Sequence, residues 1–141
     1  MKELTKAPRA GKSYLQLLES AIGSPIPNSL KEIIIKYAGL SVIENTFLDS
    51  NNTEWELQNF DHVASMVTLT KEFIEKGWGC KLPFAYDPGG WHYCLSFDKE
   101  TYGKVLVNRW TDHIPEEQFL IIADSFEDFI NGLEERKEDL V

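Results

Sequence analysis

A chain of 141 residues with 43 % hydrophobic and 26 % charged side chains has the size and composition of one globular domain, which excludes a disordered or fibrous protein. The net charge of −9 argues against direct binding of nucleic acid, since phosphate contacts require a basic face, but it suits a basic protein partner. No segment reaches the roughly 18 apolar residues of a membrane span, and the start of the chain lacks the apolar core of a signal peptide. We therefore expect a cytoplasmic protein without membrane contact.

The first half of the chain predicts helices, with one hairpin between the second and the third. Residues 1–11 are polar and are expected to be flexible, so that 12–141 form the domain. Apolar residues recur at helical spacing in three segments, 13–22, 29–38 and 61–76. Ser13, Ser29 and Asp61 stand at the expected helix starts as capping residues. The short link between the first two helices predicts that they are neighbours. Between the second and third helices, period-two spacing around the turn 49–52 predicts the hairpin.

The second half of the chain predicts the main strands, around a central one at 91–97. Trp91, Tyr93, Leu95 and Phe97 alternate there with smaller or more polar residues, so one face of this strand is strongly apolar. Further strands are expected at 82–86, 104–110 and 119–123. A last helix should begin at Asp124, and the acidic tail 134–139 should be its solvated end. Helices and hairpins in this order predict an α+β domain with a mostly antiparallel sheet.

Three stretches of this chain resemble the SUKH superfamily of bacterial immunity proteins and their fungal cell-wall-regulator relatives. They are 26–40 (IPNSLKEIIIKYAGL), 82–98 (LPFAYDPGGWHYCLSFD) and 122–130 (IADSFEDFI). Their order and spacing carry the likeness. Ala38 and Leu40 depart from the family pattern at the turn after the second helix. The resemblance implies a non-enzymatic SUKH-like α+β domain that binds and neutralises a toxin, often a nuclease.

The sequence gives little support for a metal-binding site or for a catalytic cysteine nucleophile. Three histidines and two cysteines are present, but no CxxC, HxxxH or HExxH spacing joins them, so we expect neither metal nor cofactor. Cys80 and Cys94 are expected to be reduced thiols. Either cysteine could meet a histidine in space as a nucleophile pair, but no nucleophile elbow, phosphate-binding loop or dinucleotide fingerprint accompanies them.

Partner binding is the role we assign to one aromatic residue and to six acidic ones in loops. Trp91 follows a glycine turn, where it could either join the core or anchor a partner at the sheet rim. If the strands pair as predicted, the carboxylates would form one face that attracts a basic protein. The candidate site residues are Asp87, Trp91, Asp98, Glu100, Asp112, Glu116 and Glu117.

The function expected from the resemblance is that of an immunity protein that occludes the active surface of a cognate toxin. The alternative is a cytoplasmic regulatory or scaffold module that binds a cellular protein, as in the fungal relatives. An enzyme is the third class.

Overall fold

The computed structural model describes residues 12–111 and 113–135, except for the side chain of Lys12. The segment 1–11, predicted to be flexible, lies outside the described residues. The α-helices are α1 (Lys12–Ile22), α2 (Asn28–Tyr37), α3 (Val63–Glu75) and α4 (Phe126–Asn131). The strands are β1 (Glu44–Leu48), β2 (Glu54–Glu56), β3 (Asn59–Phe60), β4 (Lys81–Tyr86), β5 (His92–Ser96), β6 (Val105–Asn108), β7 (Phe119–Ala123) and β8 (Glu134–Glu135). Short 3₁₀ helices lie at Lys99–Thr101 and Pro115–Glu117. The α+β prediction is confirmed.

Five strands form the main sheet in the order β3-β4-β5-β6-β7, and every neighbouring pair is antiparallel. The predicted central strand is therefore confirmed, because β5 is the third of the five. The hairpin of β1 and β2 is also confirmed, but it belongs to a separate sheet of three strands in the order β2-β1-β8.

Both faces of β5 are buried, and different helices cover them. Tyr93 on one face contacts the ring of Phe129 in α4, with 5.4 Å between centroids. Cys94 pairs with Leu106 on the other face, which also carries Phe119, and the Phe119 ring meets the edge of Phe73 in α3. The main sheet therefore lies between α3 and α4. Because both faces are covered, Cys94 and Ser96 are as deeply buried as Tyr93.

Aromatic rings connect the two sheets. Phe129 contacts Phe84 of the main sheet at 5.6 Å and Phe47 of β1 at 4.9 Å between ring centroids. The hydroxyl of Tyr93 donates a hydrogen bond to the backbone carbonyl of Glu56 at 2.5 Å. A single apolar core therefore runs from the main sheet through α4 to the small sheet.

The expected helix caps are wrong at several positions, because tertiary contacts occupy the predicted side chains. Ser29 donates its hydroxyl to Glu127 at 2.7 Å rather than capping α2. Asp61 accepts a hydrogen bond from His92, and His62 stands at the start of α3 without a side-chain cap. The last helix is capped by Ser125, which accepts from the backbone N–H of Asp128, and not by the predicted Asp124.

Three further expectations about the helices need correction. Ser13 lies inside the first turn of α1, since Lys12 is already helical. The first two helices were expected to be neighbours. Both contribute to one core, but α1 packs mainly on α3, and α2 packs on α4. Glu134 and Glu135 form β8 against β1 instead of a helix end, while residues 136–139 lie outside the described part of the chain.

The turn between β1 and β2 is organised by the buried carboxylate of Asp49. It accepts hydrogen bonds from the backbone N–H groups of Asn51 (2.8 Å) and Thr53 (3.0 Å) and from the indole of Trp55 (2.9 Å). Burial by itself raises the pKa of Asp49, but these three bonds to the charged form outweigh burial, and the pKa lies below its ordinary value. Ionised Asp49 therefore stabilises the folded hairpin.

The substitution Asp49→Asn should lower the free energy of unfolding at pH 7 by about 1–3 kcal/mol, because the asparagine NH₂ would face hydrogen-bond donors. Since the folded-state pKa is depressed, this stabilisation is present above a pH of about 4 and is lost as the pH falls through the folded-state value. Urea unfolding of both proteins between pH 7 and pH 3 should show the difference shrinking at the acid end. The exposed Asp124→Asn is the control, and a difference independent of pH would contradict the role of ionised Asp49.

Candidate functional site

A groove runs along α3 where this helix crosses the ends of β4 and β5. Its larger cavity has a volume of about 470 Å³ and lies between Ser65 and Thr68 of α3 and the side chains of Tyr86 and His92. A smaller cavity of about 220 Å³ shares Leu69, Gly90 and His92 with the first and extends to Trp78 and Trp110. We call these two cavities together the α3 groove. Concave, largely apolar surfaces with a few polar groups are where proteins usually bind their ligands.

The larger cavity of the α3 groove contains a buried ionisable pair. Nδ1 of His92 lies 3.1 Å from Oδ2 of Asp61, and the side chains are 21 % and 5 % exposed. When the Asp61 carboxylate is ionised, Nδ1 of His92 is the donor in this contact, because an ionised carboxylate can only accept hydrogen bonds. The backbone N–H of Asp61 donates to the Phe84 carbonyl, which fixes this residue beside β4. Sequence reasoning missed the pair, since no spacing pattern links positions 61 and 92.

Asp87 and Trp91, two of the predicted binding residues, form the turn between β4 and β5. Oδ1 of Asp87 accepts hydrogen bonds from the backbone N–H groups of Gly89 (2.9 Å) and Trp91 (2.8 Å). Oδ1 of Asp87 is therefore occupied by the hydrogen bonds that stabilise the turn. The turn places Gly90 in the wall of the α3 groove, so the following residue, Trp91, lies next to its mouth.

Trp91 is half-buried at the rim of the sheet, and its role as an anchor for a partner stays a prediction. Its indole N–H donates to the hydroxyl of Thr111 at 2.8 Å, and its ring meets the edge of His113 at 5.7 Å between centroids. It also packs against the main core. Trp91 thereby attaches the loop between β6 and β7 to the start of β5.

Asp98 and Glu100 lie at the other end of β5, about 17 Å away for a five-residue strand. Asp98 accepts from the backbone N–H of Cys80 at 2.8 Å and forms an ion pair with Lys81 at 2.6 Å. Both Asp98 and Glu100 line a separate open cavity of about 510 Å³ next to the half-exposed Ile121. Asp98 is thus largely occupied inside the protein.

Glu116 and Glu117 are exposed in the 3₁₀ helix of the β6–β7 loop. This loop begins at the end of β6, which adjoins the start of β5. It therefore lies at the same end of the sheet as Trp91. Asp112 lies outside the described residues. The expected single acidic face is wrong, because the antiparallel pairing of β5 places its two flanking loops at opposite ends of the sheet.

The two cysteines are free thiols with little capacity to act as nucleophiles. Burial, with a smaller contribution from the charge of Asp61, strongly raises the pKa of Cys94. Burial also raises the pKa of Cys80, and the charge of Asp98 adds to this effect. Thiolate is the reactive form of cysteine, so both environments suppress reactivity. Among the described residues, no group of three or more His, Cys, Asp or Glu side chains could hold a metal ion.

The protein is a small α+β domain with an open groove along α3, and neither of its cysteines is activated as a nucleophile. Residues 12–130 match the model of the SUKH_6 family, described as SMI1-KNR4 cell-wall. Since this match spans most of the chain, the protein belongs to that family, which confirms the resemblance found in the sequence.

Proteins of this family are generally non-catalytic and relate to immunity or to the cell wall. No curated protein matches the chain. Across the described residues, no helix combines the length and the apolar character needed to cross a membrane.

We expect neither cysteine to react readily with a thiol reagent in the native protein. With dithionitrobenzoate at pH 8, Cys80 should react slowly, because it is partly exposed, and Cys94 only after unfolding in urea. In the variant Cys80→Ser, the remaining thiol should not react fast in the folded protein. After unfolding in urea, the same variant should react with one full equivalent of the reagent. Rapid modification of Cys94 in the folded Cys80→Ser variant would contradict the buried thiol described above.

Proposed function

We propose that this protein is an immunity protein that binds a cognate bacterial toxin and neutralises it by covering its active surface. The observation that carries the proposal is the family match over residues 12–130. The open α3 groove, with the exposed Glu116 and Glu117 on the same side of the sheet as Trp91, supports a binding role. No step of catalysis is assigned to the chain, and it functions in the cytoplasm.

Occlusion requires only a stable interface, typically about 800 Å² on each partner. The net charge of −9 favours a basic partner, and a nuclease suits this requirement because its substrate surface is positive. Complementary charge also accelerates the encounter, by roughly 10 to 1,000-fold at low salt. Rapid capture matters for an immunity protein, since a free toxin damages the cell that contains it.

A regulatory or scaffold module that binds a cellular protein is the second candidate. It is favoured by the cell-wall description of the matching family. The two candidates differ in the expected partner. An immunity protein recognises a toxin encoded beside its own gene, whereas a regulator binds an endogenous protein and has no effect on a toxin.

Expression of the neighbouring toxin domain in a susceptible host, with and without this protein, tests the proposed function. Co-expression should restore growth, and the two proteins should elute together in size-exclusion chromatography. A catalytically inactive toxin domain provides the material for purifying the complex. Absence of both rescue and complex would reject immunity towards that toxin and favour the regulatory module.

The double substitution Glu116→Lys, Glu117→Lys should slow association with the toxin by roughly 10-fold or more at low salt, with a smaller effect on dissociation. The control is Glu32→Lys, Glu54→Lys, which changes the net charge equally at exposed positions of α2 and β2. Association rates measured by stopped flow at two salt concentrations separate the effect of charge in the β6–β7 loop from the effect of the net charge. Equal slowing by both variants would show that the β6–β7 loop has no special role.

A further inference from the structure

We propose that the larger cavity of the α3 groove receives an arginine side chain of the protein partner, whose guanidinium pairs with the carboxylate of Asp61. This inference deepens the proposed function, since it assigns the place and the chemistry of the contact with the partner. None of the residues predicted from the sequence lines this cavity, so the contact is distinct from the acidic loops.

The first argument is that the cavity is lined by a nearly buried carboxylate whose ion-pairing partner is a histidine. The side chain of Asp61 is only 5 % exposed, and Oδ2 accepts its hydrogen bond from His92. Asp61 lines the cavity, and among the described residues no lysine or arginine forms an ion pair with its carboxylate. A buried carboxylate is costly unless it is paired and fully hydrogen-bonded. An arginine entering the cavity would give this carboxylate a permanently charged partner.

The second argument is the shape and chemistry of the cavity wall. Its volume of about 470 Å³ can hold a long side chain together with the backbone that carries it. The ring of Tyr86 lines the cavity beside His92, with 5.7 Å between the two centroids. A planar guanidinium stacks on aromatic rings and pairs with a carboxylate through two parallel N–H groups, which a lysine ammonium cannot do. Ser65 and Thr68 also line the cavity, and a hydroxyl oxygen can accept a hydrogen bond from a guanidinium.

The third argument is the complementarity of charge between the partners. The chain carries a net charge of −9, and the partner expected from the proposed function is basic. Fully desolvated arginines are among the residues that contribute most to protein interfaces. The neighbouring cavity with Trp78 and Trp110 continues the surface on which residues flanking this arginine would pack.

A small probe tests the cavity without any toxin. N-acetyl-argininamide, titrated into the ¹⁵N-labelled protein, should shift the amide signals of residues 61–69 and the ring signals of His92 in a saturable manner. N-acetyl-norleucinamide has a similar length without charge and should leave them unchanged. Absence of a saturable shift with the arginine probe overturns the proposal, whether or not the protein neutralises a toxin.

The variant Thr68→Arg tests the same site in the complex. Thr68 is exposed on α3, so the variant should fold, and its own guanidinium would occupy the cavity. We expect toxin binding to weaken by about 30-fold or more, with loss of the arginine-probe shifts. As the control, Ile74→Arg adds the same charge at an exposed position of α3 outside the groove and should bind like the wild type.

A double-mutant cycle identifies the pair directly. Asp61→Asn should weaken toxin binding, and one Arg→Ala variant of the toxin domain should weaken it similarly. The fold-loss of affinity with both substitutions together should be clearly smaller than the product of the two single fold-losses.

If the wild-type protein rescues growth while Thr68→Arg binds and rescues equally well, the arginine contact is wrong and the immunity function stands. If the arginine probe binds but no toxin does, the immunity function fails and the cation-binding cavity stands.

Discussion

The contacts of the Phe129 ring hold the architecture together. One residue of a six-residue helix touches Tyr93 and Phe84 in the main sheet and Phe47 in the small sheet. Each such aromatic pair contributes about 0.5–1.5 kcal/mol beyond the burial of its area. A helix of six residues is too short to be stable alone, and the small sheet contains strands of only three and two residues beside β1. Their shared aromatic core therefore fixes both elements on one face of the main sheet.

With α4 on one face, α3 has to cover the other, and the candidate site is a consequence of this division. Phe73 attaches α3 to the main sheet through the contact of its ring with Phe119 in β7, and the same ring also contacts Trp78. The beginning of the helix lies over the ends of β4 and β5, where the larger cavity remains open between helix and sheet. The buried Asp61 stands at this open end. The packing of the two helices on opposite faces of the sheet thus leaves the groove in which we propose that the partner binds.

Much of the fold could be predicted from the sequence because local patterns express it. The alternation in 91–97 identified β5, and the turn residues at 49–52 located the hairpin of β1 and β2. The caps could not be predicted in the same way, since a Ser or Asp near a helix start has several possible partners. Ser29 binds Glu127, 98 positions away, and Asp61 binds His92. Only the folded chain brings these groups together.

The sequence by itself determined the α+β class, the central strand and the family, because periodic burial and ordered motifs are written along the chain. Tertiary structure decided which polar groups meet. It separated Asp98 and Glu100 from the Trp91 end of β5, since antiparallel strands place successive loops at opposite ends of a sheet. It also placed the Asp61 carboxylate beside His92 inside a groove that no motif marks. Sites of this kind depend on distances between residues remote in sequence, and only packing sets those distances.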